Sequence, residues 1–126
     1  MNNHRFSPRS WQSLQGVTPK LIAVTSLALK LSPIDFIVTE GLRTRERQTE
    51  LVKQGASRTM NSKHILGRAV DVAALDNGRV SWNFALYEQI AKAFKEAAAS
   101  LGVDIEWGGD WKSFRDGVHF QLKDGE

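Results

Sequence analysis

The clearest pattern in the chain lies between Asn83 and Leu101, where Phe84, Tyr87, Ile90, Ala91, Phe94, Ala97, Ala98 and Leu101 recur at helical spacing and Gly102 follows as a C-terminal stop. Ser7-Pro8 and Thr18-Pro19 each set an N-cap residue before a proline suited to the first helical position, which predicts helices over 8–14 and 19–31. The second is apolar nearly all round and belongs in the core. After Pro33 the run Phe36-Ile37-Val38-Thr39 is aromatic and β-branched, hence a strand, and Thr44 caps a helix that runs to Lys53 and stops at Gly55. The stretch 56–67 is polar and bounded by glycine, a loop. Ala69 to Ala74 alternates as a strand with Ala69, Asp71 and Ala73 on one face, which sets an acid inside an otherwise apolar segment. Residues 104–107 and 118–122 read as two further strands, joined by the glycine- and tryptophan-rich loop 108–117. The expected architecture is α+β: a small single domain over residues 1–126 with a short antiparallel sheet packed by helices.

Composition changes this picture little. A chain of 126 residues buries one core and not two. The formal charge of +3 is scattered apart from Arg43, Arg45 and Arg47, and it suits anionic polymers in general. No helix carries a basic stripe, so nucleic acid is not an expected partner. The run Leu21 to Leu29 resembles the apolar part of an export signal, but it holds Thr25 and Ser26, lacks a small-residue cleavage site and falls far short of the ~20 residues that span a bilayer. Neither a signal peptide nor stable membrane association is expected.

The absence of cysteine removes thiolate ligands, so a metal must be held by His, Asp or Glu. A catalytic zinc wants three such ligands and one open position. Of the three histidines, His4 lies in a terminus expected to fray. His64, Asp71 and His119 are therefore the candidates, and Gly67 lets the chain turn between the first two. Hydrolysis also needs a proton acceptor and positive charge near the developing oxyanion. Asp116, three residues before His119, is the candidate base, and Arg43, in the turn between strand and helix, is the candidate cation.

Taken together, Ser62 to Asp71 (SKHILGRAVD) and Asp116 to Phe120 (DGVHF) resemble the two metal motifs of the D-alanyl-D-alanine carboxypeptidase and L-alanyl-D-glutamate endopeptidase family, the VanY-like zinc peptidases. Ser62, His64, Gly67, Ala69, Asp71, Asp116 and His119 fill every position of the pattern. The similarity extends through Gly41-Leu42-Arg43-Thr44, Gln48 and Trp107-Gly108-Gly109-Asp110-Trp111, about residues 35–122. It implies Zn2+ on His64, Asp71 and His119, a catalytic Asp116, an Arg43 that binds or polarises substrate, and supporting or substrate-binding roles for Ser62, Gln48 and Trp107. It also implies peptidoglycan stem peptides as substrate. Asp116 and Val118 stand where the carboxypeptidase branch usually has Glu and Trp, which points to the phage endolysins that cut between L-alanine and D-glutamate. Such an enzyme is expected to be a monomer, made in the host cytoplasm and acting on the wall after release. The alternatives are a D-alanyl-D-alanine carboxypeptidase or dipeptidase, and a non-catalytic wall-binding module.

Overall fold

The computed structural model of the chain describes residues 2–57, 60, 62–113 and 115–126. Among the described residues there are four α-helices and one sheet. Helix α1 (Pro8–Ser13) and helix α2 (Pro19–Leu31) precede strand β1 (Asp35–Glu40). Helix α3 (Arg45–Lys53) and a 3-10 turn at Lys63–Leu66 lead to strand β2 (Ala69–Asp76) and strand β3 (Arg79–Ser81). Helix α4 (Phe84–Leu101), strand β4 (Ile105–Trp107) and strand β5 (His119–Leu122) complete the chain. The strands run in the order β1-β2-β5-β4, every pairing is antiparallel, and β3 pairs with the far half of β2.

Ser7 and Thr44 cap their helices as the sequence predicts, whereas the Thr18 side chain makes no cap hydrogen bond at the start of α2. Ser7, Thr44 and Asn83 each accept a hydrogen bond from a first-turn backbone N–H, and Gly102 takes the left-handed conformation at φ 69° that closes α4. Tyr87, Ile90, Ala91, Phe94, Ala97 and Ala98 of α4 are buried against the sheet and against Leu21, Val24, Ala28 and Leu29 of α2. Phe94 stacks on Phe120 of β5, with ring centroids 3.8 Å apart. Helix α2 buries one face, not its whole circumference: Lys20 and Lys30 are exposed. Leu21 to Leu29 is therefore core, and among the described residues no helix is long and apolar enough to cross a membrane.

Three features depart from the sequence expectations. Strand β2 runs on to Asp76 and folds back through Asn77 and Gly78, both at positive φ, into β3. Asn-Gly is the hairpin signal for such a two-residue turn, and it was legible. The expected loops contain short 3-10 turns, at Lys63–Leu66 and at Gly108–Asp110. The N-terminus is tied down: the Asn2 amide donates to the carbonyls of Leu29 and Ser32, and its backbone N–H donates to Lys30. In the stretch 56–61, which could have formed a lid, Arg58, Thr59 and Asn61 lie outside the described residues.

Candidate metal centre

Strand pairing assembles most of the site. A register shift between Val38 and Glu40 turns the end of β1 so that Glu40 stands opposite Asp71, and Asp71 in turn stands opposite His119. Glu40, Asp71 and His119 thus form a row across three strands, on the face away from Val70, Val72 and Phe120 of the core. His64 joins them from the 3-10 turn. The Ser62 hydroxyl caps that turn by accepting from the His64 backbone N–H, 3.2 Å away. Gly67 ends it at φ 69°, where a side chain would collide with the Gly16 carbonyl.

The two imidazoles aim at one point. His64 Nδ1 lies 2.8 Å from the Gly41 carbonyl oxygen, which can only accept, so Nδ1 carries the proton and the Nε2 lone pair faces Asp71 Oδ1 at 3.1 Å. His119 Nε2 lies 2.8 Å from Gln121 Oε1, and the Gln121 amide nitrogen donates to Glu106. That arrangement places the His119 proton on Nε2 and its Nδ1 lone pair 3.1 Å from the same Asp71 oxygen. Two lone pairs directed at one carboxylate oxygen repel unless a proton or a cation lies between them. The donor atoms of His64, Asp71 and His119 lie within 4.8 Å of one another, and His64 and His119 are buried. Two imidazoles and a carboxylate on a borderline-soft divalent cation, with the fourth side open to the cleft, match a catalytic zinc site.

The electrostatics follow from this packing. In the metal-free protein burial pushes the Asp71 carboxyl up, but hydrogen bonds and charge from the facing His119 and His64 rings, which then act as donors, outweigh it and hold the group well below the usual carboxylate range. Burial works against a charged His119, yet the hydrogen bond and charge of Asp71 raise its pKa above 6.5. Asp116 shifts the other way from Asp71: burial, and then the negative charge of Asp71, push its carboxyl above the ordinary value. A carboxylate tuned upward beside a metal-binding set has the character of a general base.

A cleft of about 630 Å³ opens over the cluster, lined among others by Arg43, Ser57, Ser62, Trp111, Ser113 and Asp116. Asp116 is held by its own backbone, which donates from N–H to the Gly108 carbonyl and accepts from the His119 N–H. Gly108 leaves room for it, since a side chain there would strike the Asp116 carbonyl. Arg43 lies against Asp71, with Nη2 at 3.7 Å from Oδ2. Three of its five N–H groups are engaged elsewhere: Nε and Nη2 donate to the two Glu40 oxygens and Nη1 donates to Gln48 Oε1, all at 2.8 Å. Gln48 is fully buried and donates to Ser57, so it braces Arg43 from behind.

Of the residues singled out in the sequence, the structure brings His64, Asp71, His119, Asp116, Arg43 and Ser62 to this cleft. It does not bring Trp107, whose ring is buried between Phe84 and Phe120 and whose indole N–H donates to the Gly117 carbonyl. Trp111 lines the cleft instead, with its ring 5.4 Å from that of His119. His4 is remote from the cluster. Sequence reading missed Glu40 and Gln121 and gave Gly41 no role, yet all three touch a site residue. Gln121 carried a signal, because two residues on from His119 in a strand it shares that histidine's face.

Known proteins resemble this chain over most of its length. The family described as phage L-alanyl-D-glutamate peptidase matches residues 2–125. The L-alanyl-D-glutamate peptidase of Escherichia phage T5 is 35% identical over 125 residues, 96% of this chain and 90% of that protein. The crystal structure of the L-Ala D-Glu endopeptidase ChiX of Serratia marcescens superposes with a TM-score of 0.90 at 47% identity, covering 96% of this chain and 92% of ChiX. The vancomycin-resistance D,D-pentapeptidase VanY, solved with Zn(II), shares the fold at a TM-score of 0.53 and 19% identity, over 96% of this chain and 74% of that one. The sequence motifs, the sheet that aligns them and these matches agree: the chain belongs to the phage L-alanyl-D-glutamate peptidase family.

Proposed function

We propose that the chain is a zinc-dependent endopeptidase that hydrolyses the L-alanyl-D-glutamate bond of peptidoglycan stem peptides. The observation that carries this reading is the convergence of the His64 and His119 lone pairs on one Asp71 oxygen, with a raised-pKa carboxylate, Asp116, in the same cleft. His64, Asp71 and His119 would hold the ion. Zinc, when bound, supplies Lewis-acid polarisation of the scissile carbonyl and lowers the pKa of the attacking water.

The protein groups do the rest. Asp116 takes a proton from the water as its oxygen adds to the carbonyl carbon of L-alanine, and returns that proton to the D-glutamate nitrogen as the C–N bond breaks. Arg43 places a fixed positive charge beside the site, where negative charge develops on the carbonyl oxygen. Its bonds to Glu40 and Gln48 hold that charge in place before substrate arrives. Ser62 supports the site by fixing the turn that presents His64, and Gln48 does so by bracing Arg43. Trp111, and not Trp107, provides an aromatic wall against which a stem peptide can lie.

Relatives with this activity are named from a phage and from a bacterium alike. Asp116 in place of Glu favours the endolysin role, in which a monomer made in the host cytoplasm reaches the wall once the membrane is permeabilised. The test is mass spectrometry of purified peptidoglycan digested with and without chelator, and with zinc restored. Chelator-sensitive release of peptides with a new N-terminal D-glutamate is expected. Loss of terminal D-alanine alone would replace this reading with a carboxypeptidase, and an unchanged wall with zinc bound would replace it with a binding module.

A further inference from the structure

A half-buried chain of polar groups runs from His119 to two residues, Gln121 and Glu106, that the mechanism above does not use. His119 Nε2 donates to Gln121 Oε1 at 2.8 Å, and Gln121 Nε2 donates to Glu106 Oε2 at 3.0 Å. The sheet builds this chain by register. Gln121 stands two residues beyond His119 on the same face of β5, and Glu106 is its cross-strand partner on β4. On the other side Gln121 stands opposite Ala69, which offers no polar side chain to compete for the amide.

The geometry points to Gln121 and Glu106 as positioning residues that select which nitrogen His119 offers to the metal. This inference rests on the zinc reading of the cluster. An imidazole presents two nitrogens, and the second partner decides which of them keeps the proton. A glutamine alone does not decide, because its amide end donates and its carbonyl end accepts, and the two orientations are nearly isoenergetic. Glu106 removes that ambiguity. A carboxylate only accepts, so it takes the Gln121 N–H and turns Oε1 toward His119. His119 is then protonated on Nε2 and presents the Nδ1 lone pair toward Asp71 and His64. Glu106 thus sets the orientation of a metal ligand that it does not touch.

The amide also serves a purpose that a carboxylate at the same position would not. A second anion between Glu106 and His119 would face Glu106 across the strand pair, and like charges directly opposite destabilise a sheet. Glutamine relays the preference of Glu106 without adding charge.

The test is zinc binding by competition with a chromophoric chelator, together with long-range 1H–15N correlation of the histidine rings. Gln121→Leu, which keeps the volume and removes both hydrogen bonds, is expected to weaken zinc binding by about 10–100-fold. Glu106→Gln is expected to act in the same direction more weakly, since an amide can donate as well as accept. Gln121→Glu combined with Glu106→Gln exchanges the two groups and preserves the polarity of the chain, and is expected to recover most of the lost affinity. The ring spectra should show His119 protonated on Nε2 in the wild type and in the exchanged pair. Unchanged zinc affinity in a folded Gln121→Leu variant would overturn the relay. So would failure of a folded exchanged pair to recover affinity. Failure of the wild type to bind zinc at all would overturn the metal-centre reading instead.

Discussion

Replacing Arg43 by methionine separates its service to the site from any direct contact with substrate. The substitution removes three hydrogen bonds of 2.8 Å, two to Glu40 and one to Gln48, and a positive charge 3.7 Å from Asp71, while largely keeping the side-chain volume. Removing one partner of a buried ion pair costs ~3–5 kcal/mol, because the charge left behind is uncompensated. The Glu40 side chain is 30% exposed, so water can take up part of its charge, and the lower end of that range, ~3 kcal/mol, applies. Gln48 loses an acceptor contact in a fully buried position and adds ~1 kcal/mol. The total of ~4 kcal/mol, at roughly 3–4 °C per kcal/mol for a domain of this size, lowers the melting temperature by about 12–16 °C. The assay is calorimetry in chelating buffer, where bound metal cannot mask the loss. Arg43→Lys retains charge without the planar fork and should fall between the two. A methionine variant that melts within about 2 °C of the wild type would refute this reasoning. Were that variant also inactive, Arg43 would act on the substrate alone.

Asp116→Asn is expected to lower wall-lytic activity by about 10²–10⁴-fold with zinc stoichiometry unchanged, read by turbidity of wall suspensions and by metal analysis; loss of the metal would deny Asp116 a separate role. The response of zinc binding to pH follows from His119. Its folded-state pKa lies above the 6.5 of an unfolded histidine, so the protonated ring paired with Asp71 stabilises the metal-free fold below that value, and the contribution is lost as pH rises through the folded pKa. Zinc needs the neutral ring, so the thermal shift on adding zinc should widen between about pH 5.5 and 8, and a constant shift would exclude His119 as a ligand. Gly67→Ala forces a side chain into φ 69° and against the Gly16 carbonyl. It should cost ~1–3 kcal/mol in urea unfolding and weaken zinc binding through His64, whereas a neutral variant would show that the turn can readjust.

The sequence by itself determined most of the elements and the residue types of the candidate site. Helix caps at Ser7 and Thr44 and the 3.6-residue spacing of Tyr87, Ile90 and Phe94 are local signals, and local hydrogen bonds and one buried face suffice to realise them. His64, Asp71, His119 and Asp116 were legible because the motif spacing is written in the chain. Tertiary structure alone decided how these side chains meet. The shift between Val38 and Glu40 brings Glu40 into the row of Asp71 and His119, and no residue type in β1 encodes it, because register depends on the partner strand. Arg43 looked like a group aimed at substrate, and only the structure shows three of its N–H groups committed to Glu40 and Gln48. Trp107, at the end of a strand, and Trp111, in the loop that follows, could not be told apart as site residues by type; packing against Phe84 and Phe120 buries the first, and the 3-10 turn Gly108–Asp110 lies between it and the second, which lines the cleft. The Glu106–Gln121–His119 chain joins residues on two strands, so it came into view only once β4 and β5 were paired. Side-chain type and spacing propagate along the chain, whereas orientation, partner and proton position depend on groups brought together from distant segments.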